Sequence, residues 1–304
     1  MVYARVIVGY YKYVSAIVEI PVPLEDILHG QVSFNHYAST IIVMPSTKYD
    51  LWGAEDPRAY RLGDLVAITY TGRTISYFNP AVRRERTLPV TAIREHARWN
   101  HRWRKVHAYV LRRELRDRLI SDKDAFVLES GGEYYLFHRP HLADEKWYLT
   151  VSKLPREAFA PDRLEAATEI KEVEAYDTVW VLPEAPFELK VGWATPAYKL
   201  RTGEYIVFIH GVDREVEAYR VFAAHIELTG REVVVRAVTP TYIMEPKEGY
   251  EVFGDRPYVV FPCGLEEYEK GKLILTYGAA DFMVGIAEVS LDDLLGLLDK
   301  GRIY

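Results

Sequence analysis

Residues 53–58 read Gly-Ala-Glu-Asp-Pro-Arg and place two carboxylates and one guanidinium around a proline. Proline fixes its own φ and pushes the residue before it towards extended geometry. The segment is therefore predicted to be a rigid turn that presents the carboxyl group of Asp56, a group that can transfer protons in acid–base catalysis. A turn closed by a simple Glu–Arg ion pair fits the same spacing, and on spacing alone it is the preferred interpretation.

Basic and aromatic residues stand near the ends of predicted strands in the later part of the chain. Lys123, which precedes Asp124, and Arg139 are sixteen residues apart, which suits neighbouring ends of an antiparallel strand pair. Further polar residues in comparable positions are Lys199, His210, Tyr219 and Asp281. Taken one at a time, each of these segments is a turn that carries a polar residue.

Several common catalytic motifs are missing from the sequence. There is no phosphate-binding Walker loop, no dinucleotide-binding Gly-x-Gly-x-x-Gly, no Gly-x-Ser-x-Gly elbow and no His-Glu-x-x-His. His96, His101 and His107 have spacings that match no common zinc pattern, so they are predicted to be surface histidines. Cys263 is the single cysteine, which excludes an internal disulfide framework and a cysteine-based zinc site.

The elements that would position the polar residues are predicted to be strands. Short β-branched and aromatic runs bounded by Gly, Pro, Asp or Asn recur along the chain. They lie at 4–11, 15–20, 39–45, 64–72, 133–139, 146–152, 177–183, 204–211, 231–240 and 272–281. One clear helix is predicted over 290–301, with Ser290 as its N-cap and Gly301 at its end. This density of strands favours a sandwich, a barrel or a propeller.

Four of the predicted strands end at Thr71, Arg139, Gly211 and Ala280, at intervals of about 70 residues. This is a weak repeat on the scale of one four-stranded propeller blade. Length alone would suggest two domains, because a domain averages about 150 residues. No linker or low-complexity segment divides the chain, so one domain over residues 1–304 is predicted.

The overall composition is that of a globular protein, with 49% hydrophobic and 27% charged residues. The chain contains only three Asn and one Gln, and a scarcity of these heat-labile amides is typical of proteins from organisms that grow at high temperature. It has no apolar run long enough for a membrane helix and no pattern of a secretory leader. We therefore expect a cytoplasmic protein without a membrane partner.

Residues 83–118 contain twelve Lys or Arg against four Asp or Glu, although the net charge of the chain is −6. A stripe that includes Arg94, Arg98, Trp99 and Trp103 has the residue types that bind phosphates and stack on bases. The acidic remainder of the chain would repel a polyanion, so a nucleic-acid partner is not expected. The span is equally compatible with a contact in a homo-oligomer or with a solvated surface.

Taken in order, these segments resemble glycoside hydrolase family 130, whose members include mannoside phosphorylases and some β-mannosidases. The resemblance runs from about residue 50 to residue 297. It rests on residues 53–58, Lys-Asp-Ala at 123–125, His-Arg-Pro at 138–140, His-Gly-Val at 210–212 with Tyr219-Arg220, Phe-Pro-Cys-Gly at 261–264 and Tyr-Gly-Ala-Ala-Asp at 277–281. The resemblance implies an all-β, five-bladed β-propeller with a short C-terminal helix. It implies no metal and no organic cofactor.

The resemblance also implies a role for each residue of the site. Asp56 matches the proton donor of the family. The residues that match phosphate-binding positions are Lys123, Arg139, Lys199, His210 and Tyr219. The residues that match positions around the bound sugar are Glu55, Arg58, Asp124 and Asp281, of which Glu55 and Arg58 are expected to orient the acid. The sequence departs from the family where an early arginine is expected to contact the sugar, because Lys12 stands there.

One acid beside several cations favours phosphorolysis over hydrolysis. Inverting hydrolysis needs a second carboxyl group about 6.5–9.5 Å from the acid to deprotonate water. Inorganic phosphate arrives as an anion and needs cations to hold it. We therefore expect an inverting phosphorylase that converts a β-mannoside and phosphate, as co-substrate, reversibly to α-mannose 1-phosphate. The alternatives are an inverting β-mannosidase with Glu133 or Asp213 as its base, and a non-catalytic carbohydrate-binding propeller.

Overall fold

A computed structural model describes residues 1–95, 102–230 and 232–303 of the chain. Strands dominate these ranges, as the dense β-branched runs predict. The strands are β1 (Val2–Gly9), β2 (Val14–Ile20), β3 (Thr40–Val43), β4 (Ala54–Leu62), β5 (Leu65–Arg73), β6 (Thr87–Glu95), β7 (Arg104–Leu111), β8 (Leu119–Ser130), β9 (Glu133–Leu142), β10 (Leu149–Leu154), β11 (Lys171–Leu182), β12 (Glu188–Trp193), β13 (Tyr198–Lys199), β14 (Tyr205–Asp213), β15 (Tyr219–Leu228), β16 (Val233–Val238), β17 (Val260–Glu269), β18 (Lys272–Ala279) and β19 (Met283–Ser290). The α-helices are α1 (Leu24–Leu28), α2 (Arg113–Arg116), α3 (Pro161–Glu165), α4 (Gly249–Val252) and α5 (Leu291–Lys300).

The strands form four sheets in the described part of the chain, and the all-β prediction is confirmed. The sheet orders are β1-β2-β3, β4-β5-β6-β7-β11-β10-β9-β8, β12-β14-β15-β16 with β13 beside β14, and β17-β18-β19. The eight-stranded sheet consists of two antiparallel groups of four, which meet where β7 and β11 pair in parallel. Groups of up to four antiparallel strands, consecutive in the chain, are therefore the repeating unit of the fold.

The four strand ends predicted from the sequence lie in or directly after β5, β9, β14 and β18, and they are, in this order, Thr71, Arg139, Gly211 and Ala280. Each of these strands pairs with the first strand of its group, namely β4, β8, β12 or β17. The interval of about 70 residues therefore reflects a real structural repeat. Because the two strands of each hairpin are antiparallel, the start of the first and the end of the second lie side by side.

Strand β14 is buried on both faces, which explains its almost uninterrupted apolar sequence. Tyr205, Val207 and Ile209 belong to one hydrophobic cluster, while Ile206 and Phe208 belong to another. Successive side chains of a strand point to opposite faces, so β14 lies between two packed layers. This burial holds the strand that carries His210 in a fixed place.

The predicted C-terminal helix is confirmed as α5. The Ser290 hydroxyl accepts a hydrogen bond from the backbone N–H of Asp293 at 3.3 Å, as an N-cap does. Leu294 and Leu298 are buried on one face of the helix. No helix in the described residues is long and apolar enough to cross a membrane.

Cations of the basic span are engaged by carboxylates from other parts of the chain. Arg94 lies 2.9 Å from Glu19, and Arg116 lies 2.9 Å from Glu172. Further pairs are Lys105 with Asp50, Arg112 with Glu174 and Arg118 with Asp144. These ion pairs neutralise part of the positive charge of the span. His107 is buried on β7, which corrects its prediction as a surface histidine. His96, Arg98, Trp99 and His101 lie outside the described residues.

Candidate active site

Asp56 lies in a β-bulge of β4. Glu55 pairs with Thr71 and Arg58 with Thr69, so two residues between them have no partner in the register. The backbone of Asp56 has φ of +52°, in the left-handed region, which corrects the extended geometry expected before Pro57. The segment is thus a bulge inside a strand and not a turn. Such a strained backbone persists only where its surroundings hold it, and it often marks a functional position.

Two cations flank the carboxylate of Asp56. Arg5 Nη1 donates a hydrogen bond to Oδ1 at 3.3 Å, and Lys123 Nζ lies 3.5 Å from Oδ2. Burial opposes ionisation of this carboxyl group, but Lys123 and Arg5 outweigh it and hold the pKa of Asp56 below its ordinary value. Asp56 is therefore ionised in this state.

Arg5, and not Lys12, is the basic residue of the N-terminal segment that lies beside Asp56. Arg5 belongs to β1 and meets Asp56 from 51 residues away in the chain. The ammonium group of Lys12 instead lies over the rings of Trp52, at 4.7 Å from the centroid, and Phe78, at 4.9 Å. A guanidinium is thus present next to Asp56, and β1 supplies it.

Glu55 orients Arg5 and reaches the acid only through it. Its carboxylate accepts a hydrogen bond from Arg5 Nη2 at 2.8 Å and forms an ion pair with Arg73 Nε at 2.6 Å. Arg73 in turn donates to the backbone carbonyls of Lys12 and Tyr13. Burial raises the pKa of Glu55 above its ordinary value, against the opposing effect of Arg5.

Arg58 and Asp124 are completely buried, which corrects their prediction as sugar-binding residues. Arg58 donates to the backbone carbonyls of Asp56, Trp193 and Ala194, each at 2.9 Å. It thereby fixes the backbone of the acid, as expected of an orienting residue. Neither side chain is accessible to a bound sugar in this structure.

Asp124 is the common anion of the cations around it. Its carboxylate accepts from Arg139 Nε at 2.6 Å and lies 3.4 Å from Arg58 Nη2 and 3.5 Å from His210 Nε2. Burial opposes ionisation, but the charges of Arg139, Arg58 and Lys123 together hold the pKa of Asp124 far below its ordinary value. Gly192 allows this close approach, because a Cβ there would lie 2.5 Å from both Asp124 Oδ2 and the His210 ring.

Basic and aromatic groups converge beside Asp56 and Asp124, as predicted for Lys123, Arg139, His210 and Tyr219. Lys123 and Arg139 pair directly across β8 and β9, which confirms the inference from their spacing. Arg139 Nη1 is buried and has no hydrogen-bond partner among the described residues. The His210 ring stacks on Tyr219 at 5.7 Å, and burial lowers the pKa of His210 to about 3, so the ring is neutral.

Lys190 and Arg256 complete this cluster, and the sequence analysis does not identify either. Burial and then the nearby Arg139 and Lys123 lower the pKa of Lys190 to about 7. The guanidinium of Arg256 lies 4.7 Å from the ring centroid of Tyr219. The available signal for Lys190 was a lysine between the apolar residues Leu189 and Val191 of a strand.

Lys199 lies outside the cluster, which corrects its prediction as a phosphate-binding residue. It is exposed on β13 and pairs with Tyr205 on β14. His210 is five residues further along β14, which is about 17 Å at about 3.3 Å per residue. Lys190, which pairs with Val212, occupies the place expected for Lys199.

Asp281 lies in the turn between β18 and β19 and lines a cavity together with Asp56 and Arg5. Its backbone has φ of +53°. Its place beside the acid fits the predicted contact with a sugar. Phe261 and Cys263 line the same cavity, and burial raises the pKa of the Cys263 thiol to about 12, so this thiol stays protonated.

A buried hydrogen-bond chain supports the hairpin of β8 and β9 from behind. His138 Nδ1 lies 2.7 Å from Asp122 Oδ2, and His138 Nε2 lies 2.8 Å from the Ser152 hydroxyl. The order Ser–His–Asp matches that of a serine hydrolase triad, but all three side chains are inaccessible. Asp122 and His138 directly precede Lys123 and Arg139, so the chain fixes the positions of these two cations.

The chain is similar to several known proteins. The chain is 26% identical over 281 residues to a β-1,2-mannobiose phosphorylase of Thermoanaerobacter, which is 92% of this chain and 78% of that protein. It is 29% identical over 182 residues to a β-1,4-mannooligosaccharide phosphorylase of Ruminococcus albus, which is 56% of this chain and 48% of that protein.

A solved structure of similar fold is the β-1,2-mannobiose phosphorylase of Listeria innocua in complex with β-1,2-mannobiose. Its TM-score is 0.69 at 21% identity, and the match covers 94% of this chain and 70% of that chain. The family profile described as beta-1,4-mannooligosaccharide phosphorylase matches residues 1–300. The chain therefore belongs to glycoside hydrolase family 130.

Proposed function

We propose that this chain is an inverting glycoside phosphorylase that cleaves a β-mannoside with inorganic phosphate and releases α-mannose 1-phosphate. The observation that carries the proposal is the position of the single candidate acid, Asp56, 3.5 Å from Lys123 at the edge of a cluster of buried cations. The names of the relatives support mannosides as the substrate class. Both β-1,2 and β-1,4 linkages occur among those names.

The cation cluster has the properties of a phosphate site. Arg139 offers an unpaired N–H, and Lys190 is a crowded ammonium whose protonated form an anion would stabilise. Charge-assisted hydrogen bonds from such groups hold phosphate oxygens strongly in a partly buried site. His210 and Tyr219 add a ring N–H and a hydroxyl as further donors.

The reaction balances with these residues. A phosphate oxygen forms a bond to the anomeric carbon from one face, and the glycosidic C–O bond breaks on the other. The leaving oxygen takes up one proton, which comes from Asp56 directly or through a sugar hydroxyl. Phosphate already carries negative charge, so no second carboxylate has to remove a proton from it.

The same geometry explains how Asp56 obtains its proton. Lys123 and Arg5 keep the carboxyl group ionised in the absence of an anion. A phosphate dianion beside Lys123 offsets the charge of this lysine and raises the pKa of Asp56. The acid is thus protonated when the co-substrate is bound.

The hydrolase alternative lacks its expected base. Glu133 pairs with Arg156 and lies six residues from Arg139 along β9, which is about 20 Å from the cluster. Asp213 accepts hydrogen bonds from Arg220 at 2.6 Å and from two backbone N–H groups. Neither carboxylate is positioned to activate a water molecule beside Asp56.

We also propose that the strand groups are the five blades of one propeller domain. The eight-stranded sheet supplies two blades of four strands, and each of the other three sheets supplies one. Activity at high temperature and a cytoplasmic location remain predictions from the sequence. No cofactor is required by the proposed reaction.

The decisive assay runs the reaction in the direction of synthesis. We would incubate α-mannose 1-phosphate with a panel of mannose, glucose and N-acetylglucosamine acceptors at about 70 °C, chosen because of the amide-poor composition. Release of phosphate together with a new disaccharide supports the proposal, provided that the D56N variant releases none. Hydrolysis of mannobiose without phosphate consumption, or sugar binding without turnover, would refute it in favour of the hydrolase or the binding module.

A further inference from the structure

Trp147 lies beside the cation cluster, in the connection that leads from β9 to β10. Its ring centroid is 5.5 Å from Nζ of Lys190, and the ring centroid of Tyr219 is 5.8 Å from the same nitrogen. An ammonium group over the face of an aromatic ring within about 6 Å is attracted by the electrons of the ring. Two aromatic rings, one from β15 and one from the β9–β10 connection, therefore flank the ammonium group of Lys190.

The register of β9 places Trp147 on the side of the strand that carries Arg139. Side chains two residues apart in a strand share a face, so His141 follows Arg139 on one face of β9. Trp147 pairs with His141 in an isolated antiparallel bridge, and their rings stack with centroids 4.6 Å apart and planes inclined by 16°. A second ring thus holds the indole at the edge of the cation cluster.

The turn that joins His141 to Trp147 is anchored by several contacts. The backbone N–H of Ala143 donates to the carbonyl of Arg118 at 2.8 Å. Glu145 has φ of +63°, and its carboxylate lies 3.2 Å from Nε2 of His141. A left-handed backbone outside glycine persists where the surrounding contacts hold it. These contacts fix the orientation of the stacked pair.

His141 supports Trp147 without adding charge to the cation cluster. Burial lowers the pKa of His141 below its ordinary value, against the opposing effect of Glu145. The His141 ring is therefore neutral at neutral pH. A protonated ring in this place would repel Arg139, which already lies among other cations.

Lys190 depends on these rings for its orientation more than the other lysine of the cluster does. In the described part of the chain Lys190 forms no ion pair, whereas Lys123 pairs with Asp56 and Arg139 pairs with Asp124. Immobilising a flexible side chain when a ligand binds reduces affinity by a factor of about 2 to 10. Rings that hold the ammonium group in advance remove part of this cost.

We propose that Trp147, supported by His141, is a positioning residue that holds the ammonium group of Lys190 in its binding orientation before phosphate arrives. The proposal rests on the proposed function, because it takes the cation cluster to be the phosphate site. Trp147 acts through Lys190 and does not itself bind phosphate.

The test compares W147L with the wild type in phosphorolysis of mannobiose at about pH 6, where Lys190, with its pKa of about 7, is mostly protonated. We expect the KM for phosphate to rise about fivefold, because the freed ammonium group has to be immobilised when phosphate binds. The values of kcat and of the KM for mannobiose should stay within about twofold of the wild type. W147F keeps a flat ring over Lys190 and should restore the KM for phosphate to within about twofold of the wild-type value.

Trp180 provides the matched control. It is 54% exposed on β11, and its ring packs edge-on against Tyr148, the neighbour of Trp147, at 5.3 Å. W180L should leave all three constants unchanged, and melting temperatures verify that each variant folds. If W147L does not fold, H141Q, which removes the ring beneath the indole, replaces it with the same expected rise. An unchanged KM for phosphate in the folded variant, or an equal rise in the KM for mannobiose, overturns the proposal.

A second readout separates this proposal from the function on which it rests. Binding of inorganic phosphate without sugar is measured by calorimetry for the wild type, W147L and W180L. If turnover by the wild type consumes no phosphate, the proposed function fails. A loss of phosphate binding of about fivefold in W147L, with none in W180L, still supports the positioning role. Equal binding by the wild type and W147L, or no binding by the wild type, overturns it.

Discussion

Removal of the positive charge of Arg5 should move the pH dependence of the reaction in a predictable direction. Arg5 Nη1 is 3.3 Å from Asp56 Oδ1, and the side chains are 24% and 15% exposed. Over this distance, two unit charges interact by about 1.3 kcal/mol at the dielectric constant of water and by about 5 kcal/mol at an effective value of about 20. The corresponding shift in the pKa of Asp56 is about 1 to about 4 units, and the partial exposure favours the lower part of this range.

The sign follows from the role of Asp56 as an acid. The reaction needs the protonated form, so activity falls as the pH rises through the pKa of Asp56. Arg5 lowers this pKa, and its replacement in R5Q raises it. The alkaline limb of the kcat profile at saturating phosphate, which reports the enzyme–substrate complex in which phosphate raises this pKa, should therefore move upwards by at least about 1 pH unit.

The assay is initial-rate phosphorolysis of mannobiose between pH 4 and pH 9, with R61Q as the control. Arg61 lies on the same strand, five residues from Asp56, at about 16 Å, where salt screens its charge. R61Q should reproduce the wild-type profile. An alkaline limb in R5Q that stays in place or moves downwards would refute the assignment of Asp56 as the acid held ionised by Arg5.

Four further substitutions, one of them a control, test the rest of the site. K190M should raise the KM for phosphate at least tenfold, with a smaller change in the KM for mannobiose. K199M should leave both constants unchanged. Equal effects of the two variants would contradict the conclusion that Lys190, and not Lys199, belongs to the cation cluster. R58M leaves the buried Asp124 with one cation fewer, so it should lower the free energy of unfolding by about 3–5 kcal/mol, measured by urea titration. A loss below about 1 kcal/mol would be inconsistent with the observed contacts. In H138Q, Asp122 loses its hydrogen-bond partner next to Lys123. The variant should therefore destabilise the fold by about 1–3 kcal/mol and raise the KM for phosphate more than the KM for mannobiose. A loss of kcat alone would argue against a role of His138 in positioning Lys123 and Arg139.

The strands and the neighbouring places of some cations were predictable from local patterns. Alternation and flanking turn residues predict a strand over 204–211, and β14 spans Tyr205–Asp213. The sixteen-residue interval between Lys123 and Arg139 fits two antiparallel strands joined by a short turn, and the two residues pair directly. Such inferences succeed because strand period and hairpin length depend on residues that are close in the chain.

The backbone of the acid was not predictable in the same way. Pro57 favours extended geometry for Asp56, and the chain adopts a left-handed conformation there. The register of β4 against β5 imposes the bulge, and buried Arg58 holds it through carbonyl groups of β12 and the residue after it. These partners are more than 130 residues away in the chain, so no local pattern records them.

The sequence was sufficient to reveal the family resemblance and to predict Asp56 as the candidate acid and most of the clustered cations, because these rest on residue types at recurring intervals. Strand pairing decided which lysine belongs to the cation cluster. Lys190 pairs with Val212 near the end of β14 beside the site, whereas Lys199 pairs with Tyr205 at the other end of β14. The arginine that controls the charge of Asp56 likewise comes from β1, which meets β4 only in the folded chain. The chemical type of each residue is a property of the sequence. The distances that set the pKa of Asp56, and the cavity beside this residue, arise only when separate sheets pack together.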